Sequence, residues 1–177
     1  MAQTRFSQYP AATAPTDYVD ATNFLIESPD GSIKLANLAD LNSSYFSDIQ
    51  STSLSIATAD VLTLNSTPIE LVAAQGAGKV IEILSATVKI VYVSAAYAAN
   101  TNLQLLTSGA TDAQFDNDKL LVATVSTHRR MTGLEPTAAT DTQLLENAAV
   151  NVTVETGDPT TGDSDIEIFV TYRVITV

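Results

Sequence analysis

The chain has 177 residues, enough for one domain of ordinary size plus an appendage. Twenty acids against eight bases give a net charge of −12, and Arg129–Arg130 is the only adjacent basic pair, which excludes the clustered positive charge that binding to nucleic acid or to an anionic membrane needs. Cysteine is absent, and with it disulfides, thiol catalysis and Cys-based zinc sites.

Apolar residues make up 45% of the chain, while charged residues make up only 16%. Thr, Ser, Asn and Ala are left to cover the surface. No apolar run approaches the ~18 residues of a spanning helix. The first ten residues, MAQTRFSQYP, lack the apolar core of a signal peptide. The expectation is a protein made in a cytoplasm.

Residues 1–20 read as an extended arm. Pro10 and Pro15 interrupt any regular element, and Phe6, Tyr9 and Tyr18 are too few to form a core alone. Residues 21–53 read as a hairpin and a linker. Asn23–Glu27 is a short strand, Ser28-Pro29-Asp30-Gly31 has turn chemistry, and Ser32–Leu35 returns. Leu35, Leu38 and Leu41 then recur at helical spacing. Such a hairpin is not stable alone in water. The Ser-rich stretch Asn42–Ser53 is the expected linker.

Residues 54–177 carry the main domain. Strands are expected at Ile56–Leu64, Ile69–Ala73, Asn102–Thr107, Leu120–Val125, within Leu144–Glu155, and at Ile166–Ile175. Ser108–Asp118 reads as a polar loop and Ser126–Thr142 as a long connection. The longest strand signal is Gly78–Ser94. There Val80, Leu84, Ala86, Val88, Ile90 and Tyr92 share one parity, and Ser85, Thr87 and Lys89 hold the other. Glu82 falls on the apolar parity while Ile81 and Ile83 do not. The alternation slips before Ser85, which predicts a bulge or bend there. About eight strands without intervening helices predict an all-β fold, an antiparallel β-sandwich of jelly-roll type.

Motifs that invite chemistry have structural readings beside them. Gly76-Ala77-Gly78-Lys79 resembles a phosphate loop, yet that motif needs Gly at Ala73 and Ser or Thr at Val80. It also opens a strand, whereas phosphate is cradled at a helix N-terminus. His128 is the only histidine and sits beside Arg129 and Arg130 in the long connection. These three are candidate interface residues; the Arg pair either meets an acidic patch on a neighbouring subunit or is simply solvated. Asp158, Asp163 and Asp165 crowd one loop and Asp116 and Asp118 another, without the spacing of a calcium loop. Turn and strand-end chemistry is the simpler account. Tyr92, Tyr97, Phe115 and Tyr172 are scattered as core aromatics are, and the chain has no Trp to stack on a sugar. Nothing in the sequence assigns a catalytic residue, metal or cofactor.

Two stretches carry a family resemblance. From Phe6 to Leu41 the chain reads F-S-Q-Y-P-A-A-T, then D-A-T-N-F-L-I-E, D-G-S-I-K and L-A-N-L-A-D-L. From Val61 onward it reads V-L-T-L-N-S-T-P-I-E-L-V-A-A-Q-G-A-G-K-V-I-E-I, A-A-Y-A-A-N-T-N-L-Q-L, and T-G-D-P-T-T-G-D-S-D-I-E-I-F-V-T-Y-R-V-I. The first resembles the N-terminal anchor of phage fibre and head-attached proteins, and the second a jelly-roll module of phage structural proteins. The resemblance implies a capsid decoration (cement) protein on the virion exterior, trimeric and bound to the major capsid protein. It also fits a short head fibre or tail-fibre adaptor with a receptor- or glycan-facing knob. The expected anchoring groups are Phe6, Tyr9, Tyr18, Phe24, Leu25 and Ile26. A carbohydrate-active or carbohydrate-binding sandwich is the competing class, and it needs carboxylates converging in a groove.

Overall fold

The computed structural model describes the backbone of residues 23–27 and 33–37, and residues 49–98 and 102–177 in full. The arm 1–20, with Phe6, Tyr9 and Tyr18, lies outside the described residues, as do the turn at 28–31 and residues 38–48. The chain divides into two compact units, Met1–Ser47 and Asp48–Val177.

In the first unit, β1 (Asn23–Glu27) pairs antiparallel with β2 (Ile33–Asn37). Asn23 stands opposite Asn37, Leu25 opposite Leu35, and Glu27 opposite Ile33. Leu35 is therefore a strand residue, and the helical spacing that it opens in the sequence is not used as a helix at that position. The strand period of two puts Phe24 and Ile26 at one parity and Leu25 at the other.

The second unit holds nine strands among the described residues, in two antiparallel sheets forming a sandwich. They are β3 (Ile49–Ile56), β4 (Ile69–Val72), β5 (Lys79–Val91), β6 (Leu103–Thr107), β7 (Phe115–Asn117), β8 (Thr127–Arg130), β9 (Thr132–Gly133), β10 (Val150–Val154) and β11 (Asp165–Thr176). A single helical turn, α1 (Thr58–Val61), follows β3. One sheet has the order β3-β11-β5-β8, and the other β4-β10-β6-β7-β9. The expected antiparallel β-sandwich is what the chain forms.

The long strands β5 and β11 form the centre of the first sheet. Ile166, Ile168 and Val170 of β11 face inward opposite Ile90, Val88 and Ala86 of β5. Val150, Val152 and Val154 of β10 and Leu103 and Leu105 of β6 meet them from the second sheet. β-Branched side chains suit this pleated interior, and burying each one contributes about 1.5–3 kcal/mol.

The bulge lies where the alternation slips. Thr171 pairs with Ser85 and Tyr172 with Ile83, leaving Leu84 without a partner. The parity before it differs from the sequence expectation. Ile81 and Ile83 are buried, and Leu84 is 39% exposed. The extra residue reverses which side chains point inward.

Gln114, itself buried, bridges this region to the other sheet. Its Oε1 accepts from Ile83 N–H at 2.8 Å, and its Nε2 donates to Ile81 C=O at 3.1 Å and to Thr107 Oγ1 at 2.9 Å. β8 pairs with β5 only at Thr87–Ile90. One side-chain amide thus satisfies backbone groups of β5 beyond the reach of that neighbour.

Four expectations need correction. The linker ends sooner than Ser53, because Ile49–Ile56 forms the edge strand β3. Its serines alternate with Thr52, Leu54 and Ile56, so one side turns inward. The strand expected at Ile56–Leu64 is instead the end of β3, then α1 and turns. Asp165 Oδ1 accepts from Thr58 N–H at 2.9 Å and Thr58 Oγ1 at 3.1 Å, which fixes that turn from 107 residues away. Leu120–Val125 runs in turns that bury Leu120, Leu121 and Ala123 and leave Val122 and Val125 exposed, held by Tyr97 N–H donating to Leu121 C=O at 3.0 Å. Finally, the polar loop at 108–118 contains β7, and the connection at 126–142 contains β8 and β9.

Candidate functional site

The outer face of the sheet β3-β11-β5-β8 is built from rows of paired residues. Ser55, Glu167, Lys89 and His128 form one row, and Ser53, Phe169, Thr87 and Arg130 the next. Ser51, Thr171 and Ser85 make a third, and Ile49, Arg173 and Glu82 a fourth. Directly opposed residues share a face, so this side is rich in hydroxyls and carries one aromatic ring. Phe169 is 41% exposed in its middle. A shallow groove of about 350 Å³ runs beside the ring, lined in part by Ser51, Ser53, Ser85, Thr87 and Thr171.

Charge on this face is balanced. Lys89 Nζ lies 3.3 Å from Glu167 Oε2, and Arg173 Nε pairs with Glu82 Oε2. Both pairs are partly exposed, so they shape the surface more than they stabilise it. The arrangement presents hydroxyl donors and acceptors and an apolar centre. It suits contact with another surface.

The candidate interface residues lie on β8. His128 stands opposite Lys89 and Arg130 opposite Thr87, while Arg129 stands opposite Val88 at the open edge. All three are exposed, and none has an ion-pair partner among the described residues. Their place is a strand edge, where the sequence suggests a loop. Phe24, Leu25 and Ile26 lie on β1; Phe6, Tyr9 and Tyr18 lie outside the described residues.

The aspartates of the loop before β11 tie down neighbouring turns. Asp158 Oδ1 accepts from Asn65 N–H at 2.8 Å and Ser66 N–H at 2.9 Å. Asp163 Oδ1 accepts from Ser94 N–H at 3.1 Å and Ala95 N–H at 3.0 Å, and Ser94 Oγ donates to its other oxygen. The Ser94 hydroxyl and these backbone N–H groups hold the Asp163 carboxyl down at about 2. The N–H and hydroxyl of Ser66 lower that of Asp158. Asp118 is lowered by Lys119, whose Nζ lies 2.8 Å away. These carboxylates have the strand-end roles that the sequence suggests.

A second groove, of about 510 Å³, crosses the outer face of the other sheet, with Asp112, Asp116, Glu135 and Glu155 among its walls. Asp112 accepts from Thr137 N–H at 3.0 Å, and Asp116 from Asn102 Nδ2 at 3.1 Å. Burial pushes the Asp116 carboxyl up. No group of three or more His, Cys, Asp or Glu that could hold a metal ion occurs among the described residues.

The Gly76–Lys79 segment is a turn. Gly76 and Gly78 have φ of 94° and 73°, and Gly78 N–H donates to Glu146 Oε1 at 2.5 Å. That N–H is already occupied by a carboxylate of the same chain. The aromatics do not converge on a sugar platform. Tyr97 and Tyr172 are buried, Phe115 packs on the core, and Tyr92 OH donates to Ser94 C=O at 2.7 Å. Among the described residues the exposed ring is Phe169, which the sequence reading passed over. It sits out of step with Ile168 and Val170, and that parity is its signal.

No family model matches the chain, and no curated protein matches it. The solved structure of the cyanophage Pam1 capsid asymmetric unit is similar over 71% of this chain and 84% of that one, with 18% identity and a TM-score of 0.39.

Proposed function

We propose that this chain is a non-enzymatic structural protein of a bacteriophage virion, which decorates and stabilises the capsid exterior as a trimer. The observation that carries the reading is the strand order. β3-β11-β5-β8 facing β4-β10-β6-β7 supports a jelly roll, two interleaved Greek keys, with β9 added at one edge. That architecture recurs in viral capsid domains. The likeness of residues 6–41 to phage head-attached segments supports the same reading. So does the hydroxyl-rich face around Phe169, whose two ion pairs leave little net charge.

The mechanism is binding. The arm and hairpin supply Phe6, Tyr9, Tyr18, Phe24, Leu25 and Ile26 as apolar anchors for the shell or adjoining subunits. Burying them at subunit seams stabilises the shell against internal pressure. His128, Arg129 and Arg130 are available to acidic surfaces of the major capsid protein or of a neighbouring copy. Several copies around a symmetry axis gain by avidity. The test is the Phe24→Asp variant mixed with undecorated capsids. Loss of co-sedimentation is expected; full decoration by the variant contradicts the anchor.

A further inference from the structure

We infer that β3 is a pairing edge, at which a second copy of this chain adds its own β3 antiparallel and joins the two four-stranded sheets. The inference stands apart from the virion reading and rests on the edge alone.

Edge strands in natural proteins are blunted by charge, proline, shortness or a cover. Every other sheet edge of the sandwich shows such a device. β4 has four residues, follows Pro68 and carries exposed Glu70. β9 has two residues. β8 carries three exposed bases, and its Arg130 C=O accepts from Asn117 Nδ2 at 3.0 Å. β3 shows none of these devices among the described residues. It runs for eight residues, IQSTSLSI, with no charge and no proline. Backbone groups on its side away from β11 have no hydrogen-bond partner among the described residues.

The occupant follows from charge and register. A chain of net charge −12 repels its own copies over most of its surface. β3 is an uncharged seam eight residues long, so a second copy meets no repulsion there. Ile49, Ser51, Ser53 and Ser55 point outward with Arg173, Thr171, Phe169 and Glu167. A continuous sheet with both cores on one side must pair outward residues with outward ones. Centring the two-fold axis on Thr52 does this. It sets Ser51 opposite the partner's Ser53, Gln50 opposite Leu54, and Ile49 opposite Ser55. It also brings Ile49, 52% exposed at the start of the strand, into the seam. Serine pairs across strands hydrogen-bond favourably.

The test is the mass of the full chain in solution, by light scattering after gel filtration, for wild type and two double variants. Ser51→Glu/Ser53→Glu places carboxylates opposite one another twice across the axis. The wild-type species is expected at twice the mass of this variant or more, since each β3 pair joins two units that the variant leaves apart. Ser51→Lys/Ser53→Glu sets an ammonium opposite a carboxylate twice, and it is expected to restore the wild-type mass. Both positions are exposed, so melting temperatures should stay close to wild type. Should the glutamate variant not fold, Ser51→Lys/Ser53→Lys sets ammonium groups opposite one another twice and gives the same reading. Equal masses for wild type and the disrupted variant overturn the inference, as does failure of the complementary pair to restore association.

Discussion

At the residue scale, single polar side chains do the work of missing strands. Gln114 takes up Ile81 C=O, Ile83 N–H and the Thr107 hydroxyl in the buried interior. Gln114→Leu keeps the volume but leaves those groups without partners. A buried polar group left unsatisfied costs about 1–3 kcal/mol, so urea unfolding should show a loss of at least that size. An unchanged midpoint would remove Gln114 from this role. Asp163 acts through its charge. Its carboxyl sits at about 2 in the folded chain against an ordinary 3.8. A folded value below the unfolded one means stability that is present above pH 3.8 and lost as pH falls through about 2. The stability difference between wild type and Asp163→Asn should therefore shrink across that window. A difference that stays constant from pH 5 to pH 2 contradicts the assignment. The strand-end role of Asp163 was legible in the sequence, and the role of Gln114 was not. Gln114 lies in a stretch that reads as polar loop, and its partners are 7 to 33 residues away.

At the element scale, what the sequence shows depends on how many residues carry the pattern. β5, β10 and β11 alternate over enough residues to be read directly, and the slip before Ser85 marks the bulge. The side of the bulge on which Ile83 points inward was not legible, because Leu84 is equally apolar. Ile83→Ala and Leu84→Ala separate the two. A large-to-small change in a core costs about 2–5 kcal/mol, and chemical denaturation should show that for Ile83. Leu84→Ala should fall well below it; equal losses would place the bulge elsewhere. β7, β8 and β9 have two to four residues each. They are too short for periodicity to show, and only their partners define them: β6 for β7, β5 for β8 and β7 for β9. Leu120 and Leu121 mislead in the other direction. They are apolar because turns bury them, without being strand. α1 depends on Asp165 from the far end of the chain, a contact that no local reading contains.

At the scale of the whole molecule, the chain forms two compact units, and the proposal assigns each its own role. On the sandwich, the outer face around Phe169 and the edge strand β3 are the proposed contact surfaces. The long strand β5, which dominates the sequence, turns one side into the core and gives Ser85, Thr87 and Lys89 to the face around Phe169. The hairpin β1–β2 has strands too short to stand alone in water, which suits an element that anchors by finding a partner. Fold class was legible because alternation repeats over the whole second half. The contact surfaces were harder to read, since serine and threonine look alike in a linker and on an edge strand. The account's central claim is that this chain coats a capsid, and a density map of particles assembled with it tests that most directly. It predicts sandwich density on the shell exterior in three-fold clusters, with copies on the order of hundreds. Copies confined to one vertex or the tail, or a shell without this density, would contradict it.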